Sequence, residues 1–219
     1  MYWIIFITVA VASWLVSQSL ERKFKKFSQV PLSLTGKEIA ERMLREHGIY
    51  DVQVTCTPGH LTDHYNPETH TVNLSEGVYN SASIAAAAVA AHECGHAVQH
   101  QMAYAPLQLR TALVPVVNFA NRWMMWVILG GMLIFETFPQ LLWAGIGLYA
   151  LTTLFAFVTL PVEINASERA VAWIRESGLA DNETTEMASS ALHSAAYTYV
   201  VAALGSLAYL LYLILGSRR

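Results

Sequence analysis

Residues 137–162 read TFPQLLWAGIGLYALTTLFAFVTLPV, a run of 26 positions without one acidic or basic side chain. A helix rises 1.5 Å per residue, so roughly 20 mostly apolar residues cross the ~30 Å hydrocarbon core of a bilayer. This run is therefore long enough to span. It is not alone: residues 1–20 are also uncharged, residues 111–135 carry only Arg122, and residues 194–217 are rich in Leu, Ala and Tyr. Four transmembrane helices are expected, and the fold class is mainly α and polytopic.

Composition agrees with that reading. The chain has 219 residues, of which 54% are hydrophobic and 13% charged, too apolar for an ordinary soluble globule. A net charge of -3 gives no electrostatic footprint for nucleic acid, and two cysteines exclude a disulfide framework. Charge is confined to two blocks, residues 17–110 and 163–193, outside which stand only Arg122, Glu136, Arg218 and Arg219. The expected organisation is a transmembrane helix at 1–20, an aqueous block at 21–110, two transmembrane helices at 111–162, a second aqueous block at 163–193 and a last transmembrane helix at 194–217.

The first segment lacks the basic start and small-residue cleavage pattern of a signal peptide, so it is expected to stay as an anchor. Arg22, Lys23, Lys25 and Lys26 follow it directly. Such a cluster favours the cytoplasmic side, which puts both charged blocks in the cytosol; Arg218 and Arg219 oppose that assignment at the other end. The expected location is the plasma membrane, with the lipid bilayer as a partner. Gly130, Gly131, Gly145 and Gly147 suit close helix packing, within the chain, with a membrane-protein partner or with a second copy.

The first aqueous block carries local signals. Thr35-Gly36-Lys37-Glu38 is a capping box, followed by an apolar stripe at Ile39, Met43 and Leu44 and by Gly48, so a short helix is predicted at about 36–47. Val52, Val54 and Cys56 alternate with polar residues, as do Val72 and Leu74, and predict a strand pair with a long connection. From Ile84 to about Met102 an Ala-rich helix is expected, capped by Ser81 or Ser83.

That helix contains Ala91-His92-Glu93-Cys94-Gly95-His96-Ala97. His92 and His96 lie one turn apart on one face, so both imidazoles can reach a single ion. Glu93 is offset by about 100 degrees and can reach a water on that ion without becoming a ligand, as a general base must. His100 extends the row, but about 12 Å from His92 along the axis it lies too far to share one small ion. A carboxylate from the second block is the better third ligand: Glu163 directly follows the third apolar run and is expected at the membrane surface on a new helix, whereas Glu168 has Arg169 beside it as an ion-pair partner. His60, His64 and His70 sit in a turn-rich stretch where histidine often serves only local backbone groups. Cys56 and Cys94 read as free packing thiols.

The segments Leu61-Thr-Asp-His-Tyr-Asn-Pro67, Ala91-His-Glu-Cys-Gly-His-Ala-Val-Gln99 and Pro161-Val-Glu-Ile-Asn-Ala-Ser167, with Ala196-Tyr-Thr-Tyr-Val200, resemble the YugP-type family of membrane zinc metallopeptidases. Glu163, Ala166 and Ser167 are more distantly similar to the E-x-x-A-D segment of the HtpX and Ste24 gluzincin proteases, with Ser167 in the Asp place. The resemblance implies a zincin-like cytosolic part, Zn2+ held by His92, His96 and Glu163, and a water activated by Glu93. It also implies hydrolysis of peptide bonds in polypeptide substrates, in membrane protein quality control. Asn165 and Ser167 are candidates to support the ligands, and His64, Tyr65 and Arg169 to stabilise an oxyanion. A different class stays open, a non-catalytic membrane scaffold or channel-like protein with a structural metal. Glu93 speaks against it, because a structural site needs no base.

Overall fold

The computed structural model describes residues 2–217; Met1, Arg218 and Arg219, which enter the first span and the charge argument above, lie outside them. Among the described residues the chain is mainly α-helical, with one small sheet and four helices long and apolar enough to cross a membrane. These four are α1 (Tyr2–Phe27), α5 (Ala105–Leu133), α6 (Pro139–Glu176) and α7 (Asn182–Gly216), and the shorter helices are α2 (Gly36–Glu46), α3 (Glu76–Tyr79) and α4 (Ile84–Gln101). The chain forms two compact units: one takes residues 2–15, 105–161 and 198–217 of the described chain, the other Val16–Tyr104 and Val162–Tyr197.

In the first unit, apolar helices meet where side chains are smallest. A Cβ on Gly145 would stand 2.6 Å from Ile128 Cγ1, and one on Gly131 2.6 Å from Leu142 Cα, so α5 and α6 approach as closely as they do only because both positions are glycine. Gly130 and Gly147, expected to serve likewise, have no such close neighbour. Ile128, Leu142, Ile146 and Leu213 form the small buried cluster of this unit.

The second unit has a larger core, built around α2, α4 and the sheet. The capping box starts α2: Thr35 Oγ1 accepts from Glu38 N at 3.3 Å, and Glu38 Oε2 accepts from Thr35 N at 2.8 Å. Ile39, Ala40, Met43 and Leu44 then turn one face inward, and Gly48, at φ 71°, ends the helix in the left-handed conformation that costs glycine least. Ser83 caps α4, its Oγ accepting from Ala86 N at 3.3 Å. Because alanine is small, nearly all of α4 from Ile84 to Gln99 packs beneath other elements.

The sheet departs from the expected strand pair. Its strands are β1 (Gln53–Thr57), β2 (His64–Asn66) and β3 (Thr71–Ser75), in the order β1-β3-β2. β1 pairs with β3 in parallel, while β2, lying within the long connection, pairs with β3 antiparallel. Parallel pairing needs a crossover, and here the connection supplies both the return path and the third strand. Cys56 is also exposed rather than packed, whereas Cys94 is buried.

Helix α6 corrects a second expectation. Glu163 does not open a new helix; α6 runs unbroken through Pro161. An interior proline costs about 3 kcal/mol, and the burial of Val162, Ala166, Ala170 and Ile174 on the far side outweighs that cost. A third difference is that the last helix, expected at 194–217, starts inside the second aqueous block. Asp181 caps α7, its Oδ1 accepting from Thr184 N at 2.8 Å, so that helix starts well before Ser194.

Candidate metal centre

Two helices deliver the site. On α4 the one-turn spacing puts His92 and His96 on the same face, with ring centroids 4.8 Å apart. From α6, Glu163 points at both: its Oε2 lies 3.3 Å from His92 Nε2 and 3.6 Å from His96 Nε2. One ligand atom from each of the three lies within 4.8 Å of the others. Tetrahedral zinc with ligands at ~2.0–2.1 Å places them about 3.4 Å apart, so this donor set fits Zn2+ in size and in chemistry.

The approach of the helices depends on Gly95, inside the histidine pair. A Cβ there would lie 2.7 Å from Ala166 O and 3.1 Å from Ala166 Cα, so any side chain would push α6 away from the two imidazoles. In the sequence Gly95 shows only as a glycine in the middle of a helix, where one is unfavourable without a packing reason.

Each histidine has its other ring nitrogen engaged. His92 Nδ1 is 3.1 Å from Ser167 Oγ, and His96 Nδ1 is 3.0 Å from Gln99 Oε1. Both leave Nε2 turned to Glu163. In the metal-free form, burial disfavours a charged His96, but the hydrogen bond with Glu163, reinforced by the negative charges of Glu93 and Glu163, raises its pKa above the ordinary histidine value. Burial drives the Cys94 thiol up, and its Sγ donates to Ala40 O at 3.6 Å, so this residue packs as a neutral thiol.

Glu93 is 9% exposed. Its Oε2 accepts a hydrogen bond from Tyr65 N at 3.0 Å, so an amide of β2 holds one carboxylate oxygen. The remaining candidates scatter. The Tyr65 hydroxyl lies 2.8 Å from His100 Nδ1, and His64 Nδ1 lies 2.8 Å from Thr62 O. Asp63 pins the same segment to β3, accepting from Ser75 N at 2.7 Å. Asn165 Oδ1 accepts from Arg169 Nε at 2.8 Å and from Gln99 Nε2 at 3.1 Å, one step behind the ligands. Glu168 is exposed, unlike Glu163, and His70 pairs with Asp51 at 2.8 Å.

A polytopic helical chain with a buried cluster of two imidazoles and one carboxylate is, by class, a membrane metalloprotein. The model of the family described as "Putative neutral zinc metallopeptidase" matches residues 2–218. A relative from Bacillus subtilis (strain 168), "Putative membrane protease YugP", is 44% identical over 211 residues, covering 94% of this chain and 93% of that protein. No solved structure matches the chain. The chain belongs to this zinc metallopeptidase family, and Zn2+ is the metal the family implies.

Proposed function

We propose that the protein is an integral-membrane zinc endopeptidase of gluzincin type, with His92, His96 and Glu163 as ligands and Glu93 as general base. The observation that carries this reading is the convergence of those three ligand atoms within 4.8 Å of one another; three protein donors are what a catalytic zinc takes, its fourth position being kept for water or substrate.

Zinc, when bound, supplies the Lewis acidity that polarises a scissile carbonyl and acidifies a water molecule. Glu93 then does the proton work. Held through Oε2 by the Tyr65 amide, it keeps Oε1 to take a proton from the attacking water and to return it to the departing amine. β2 is an edge strand of the sheet, and its edge offers an extended polypeptide a place to pair. The four membrane-length helices favour unfolded, damaged or membrane-bound polypeptides as substrates, a quality-control role. The cations at 22–26 favour an active site on the cytoplasmic side of the plasma membrane.

The test uses the full chain purified in detergent, with an unfolded test protein as substrate. Glu93→Gln retains one zinc per chain and loses about 10²–10⁴-fold in cleavage rate, while Glu163→Ala loses the metal. Cleavage at the wild-type rate by the Glu93 variant refutes the mechanism.

A further inference from the structure

Gln99 lies three residues beyond His96, on the same side of α4, and is completely buried. A buried amide left unpaired costs roughly 1–3 kcal/mol, so its partners decide how it is turned. They leave one choice. Val162 O, 2.8 Å away, can only accept a hydrogen bond, so the nitrogen of Gln99 must face it. The amide oxygen then faces His96 Nδ1 at 3.0 Å, and an amide oxygen can only accept. The proton must therefore sit on Nδ1, which leaves the Nε2 lone pair turned toward Glu163.

The polarity is fixed from the far end as well. Arg169 can only donate, so the Asn165 oxygen faces its Nε at 2.8 Å. That same oxygen takes the second bond from Gln99 Nε2 at 3.1 Å. Val162 and Asn165 flank Glu163 in the chain. One side chain thus touches a histidine of α4 and the α6 backbone immediately before the third carboxylate.

We propose that Gln99 is a positioning residue of the metal site, setting the His96 tautomer and tying α4 to the part of α6 that delivers Glu163. The proposal rests on the zinc reading above and deepens it. It also gives Asn165 and Arg169 a shared role, holding the polarity of the chain of hydrogen bonds that ends at His96.

The experiment measures zinc affinity by chelator competition on the detergent-purified full chain, stripped of metal and reloaded. Gln99→Met keeps the volume and removes all three hydrogen bonds of the side chain; its affinity falls roughly 10–100-fold. Gln99→Glu, once protonated, can accept from His96 and donate to Val162, so it binds zinc more tightly than Gln99→Met. A residue that only filled space gives the opposite order, with Met close to wild type and the buried acid worse, and that order overturns the proposal. If Gln99→Met does not fold, ¹⁵N-histidine spectra of the zinc-loaded wild type decide. A hydrogen-bonded Nδ1–H on His96 supports the proposal, and metal on His96 Nδ1 overturns it. Zinc that stays bound in both the His92→Ala and the Glu163→Ala variants overturns the metal reading itself, whereas wild-type affinity in Gln99→Met overturns only the role of Gln99.

Discussion

Helices α1 and α4 are both rich in apolar residues and keep them in opposite places. The apolar window of α1 is 0% buried by the rest of the chain, and Trp3, Ile4, Phe6, Ile7, Val11, Trp14 and Leu15 all stand exposed. Along α4 the alanines from Ala85 to Ala97 are almost all covered. The difference lies in side-chain size. Alanine lets neighbouring elements close around a helix, and its small surface is covered by protein. The large side chains of α1 named above stay about half exposed or more, which is the surface a bilayer covers. Apolar composition alone says that water is excluded; the size of the residues says what excludes it.

The sharpest way to break this contrast is truncation on each side. Leu74→Ala, at a fully buried position, should destabilise the purified protein by about 2–5 kcal/mol. Ile7→Ala, at a position 56% exposed, should stay within about 0.5 kcal/mol. Thermal melts in detergent compare them, and equal losses would sink the distinction. The next effect is Gly95→Ala, which adds the one methyl group that α4 cannot hold against Ala166; overpacking costs about 1–3 kcal/mol and should weaken zinc binding with it. A Gly95→Ala protein with normal metal content would show that the close approach is dispensable.

Acidification comes third. The metal needs neutral imidazoles, and the raised His96 pKa means that protons compete from a higher pH than an ordinary histidine allows. Below that pKa, zinc affinity should fall about tenfold, or about 1.4 kcal/mol, per pH unit for each proton taken up. Metal retention followed across pH 5–8 checks it, and a flat profile would count against a histidine-held ion. The smallest effect is Thr35→Ala, which removes half of the capping box and should cost about 1 kcal/mol in the melt.

What the sequence displays well is local. The capping box at Thr35 and Glu38, the Ser83 cap and the long apolar runs all follow from short-range chemistry, and each is present in the fold. So is the shared face of His92 and His96, since four residues on a helix fix it. What it hides is non-local. Nothing in residues 53–75 announces that β1 and β3 run parallel, because register there depends on the path of the connection. The continuation of α6 past Pro161 is hidden as well, because propensity knows nothing of the buried face beyond it. Among the site residues, Glu163 was marked out by position and by family resemblance, whereas Gly95 and Gln99 act on a helix some 63 to 71 positions away in the chain. Asp181 was missed for a simpler reason: its cap begins α7 in a stretch that composition marks as solvated.

The distance along the chain between the two ligand-bearing helices has a consequence for assembly. Ser167 and His92, which touch, are 75 residues apart, and α5 with the apolar part of α6 lies between them. Until that whole stretch has been synthesised and has folded back, α4 offers an ion only two imidazoles. With the ligands proposed above, metal capture would be a late event in biogenesis, a seal on a finished chain and not a seed for its folding.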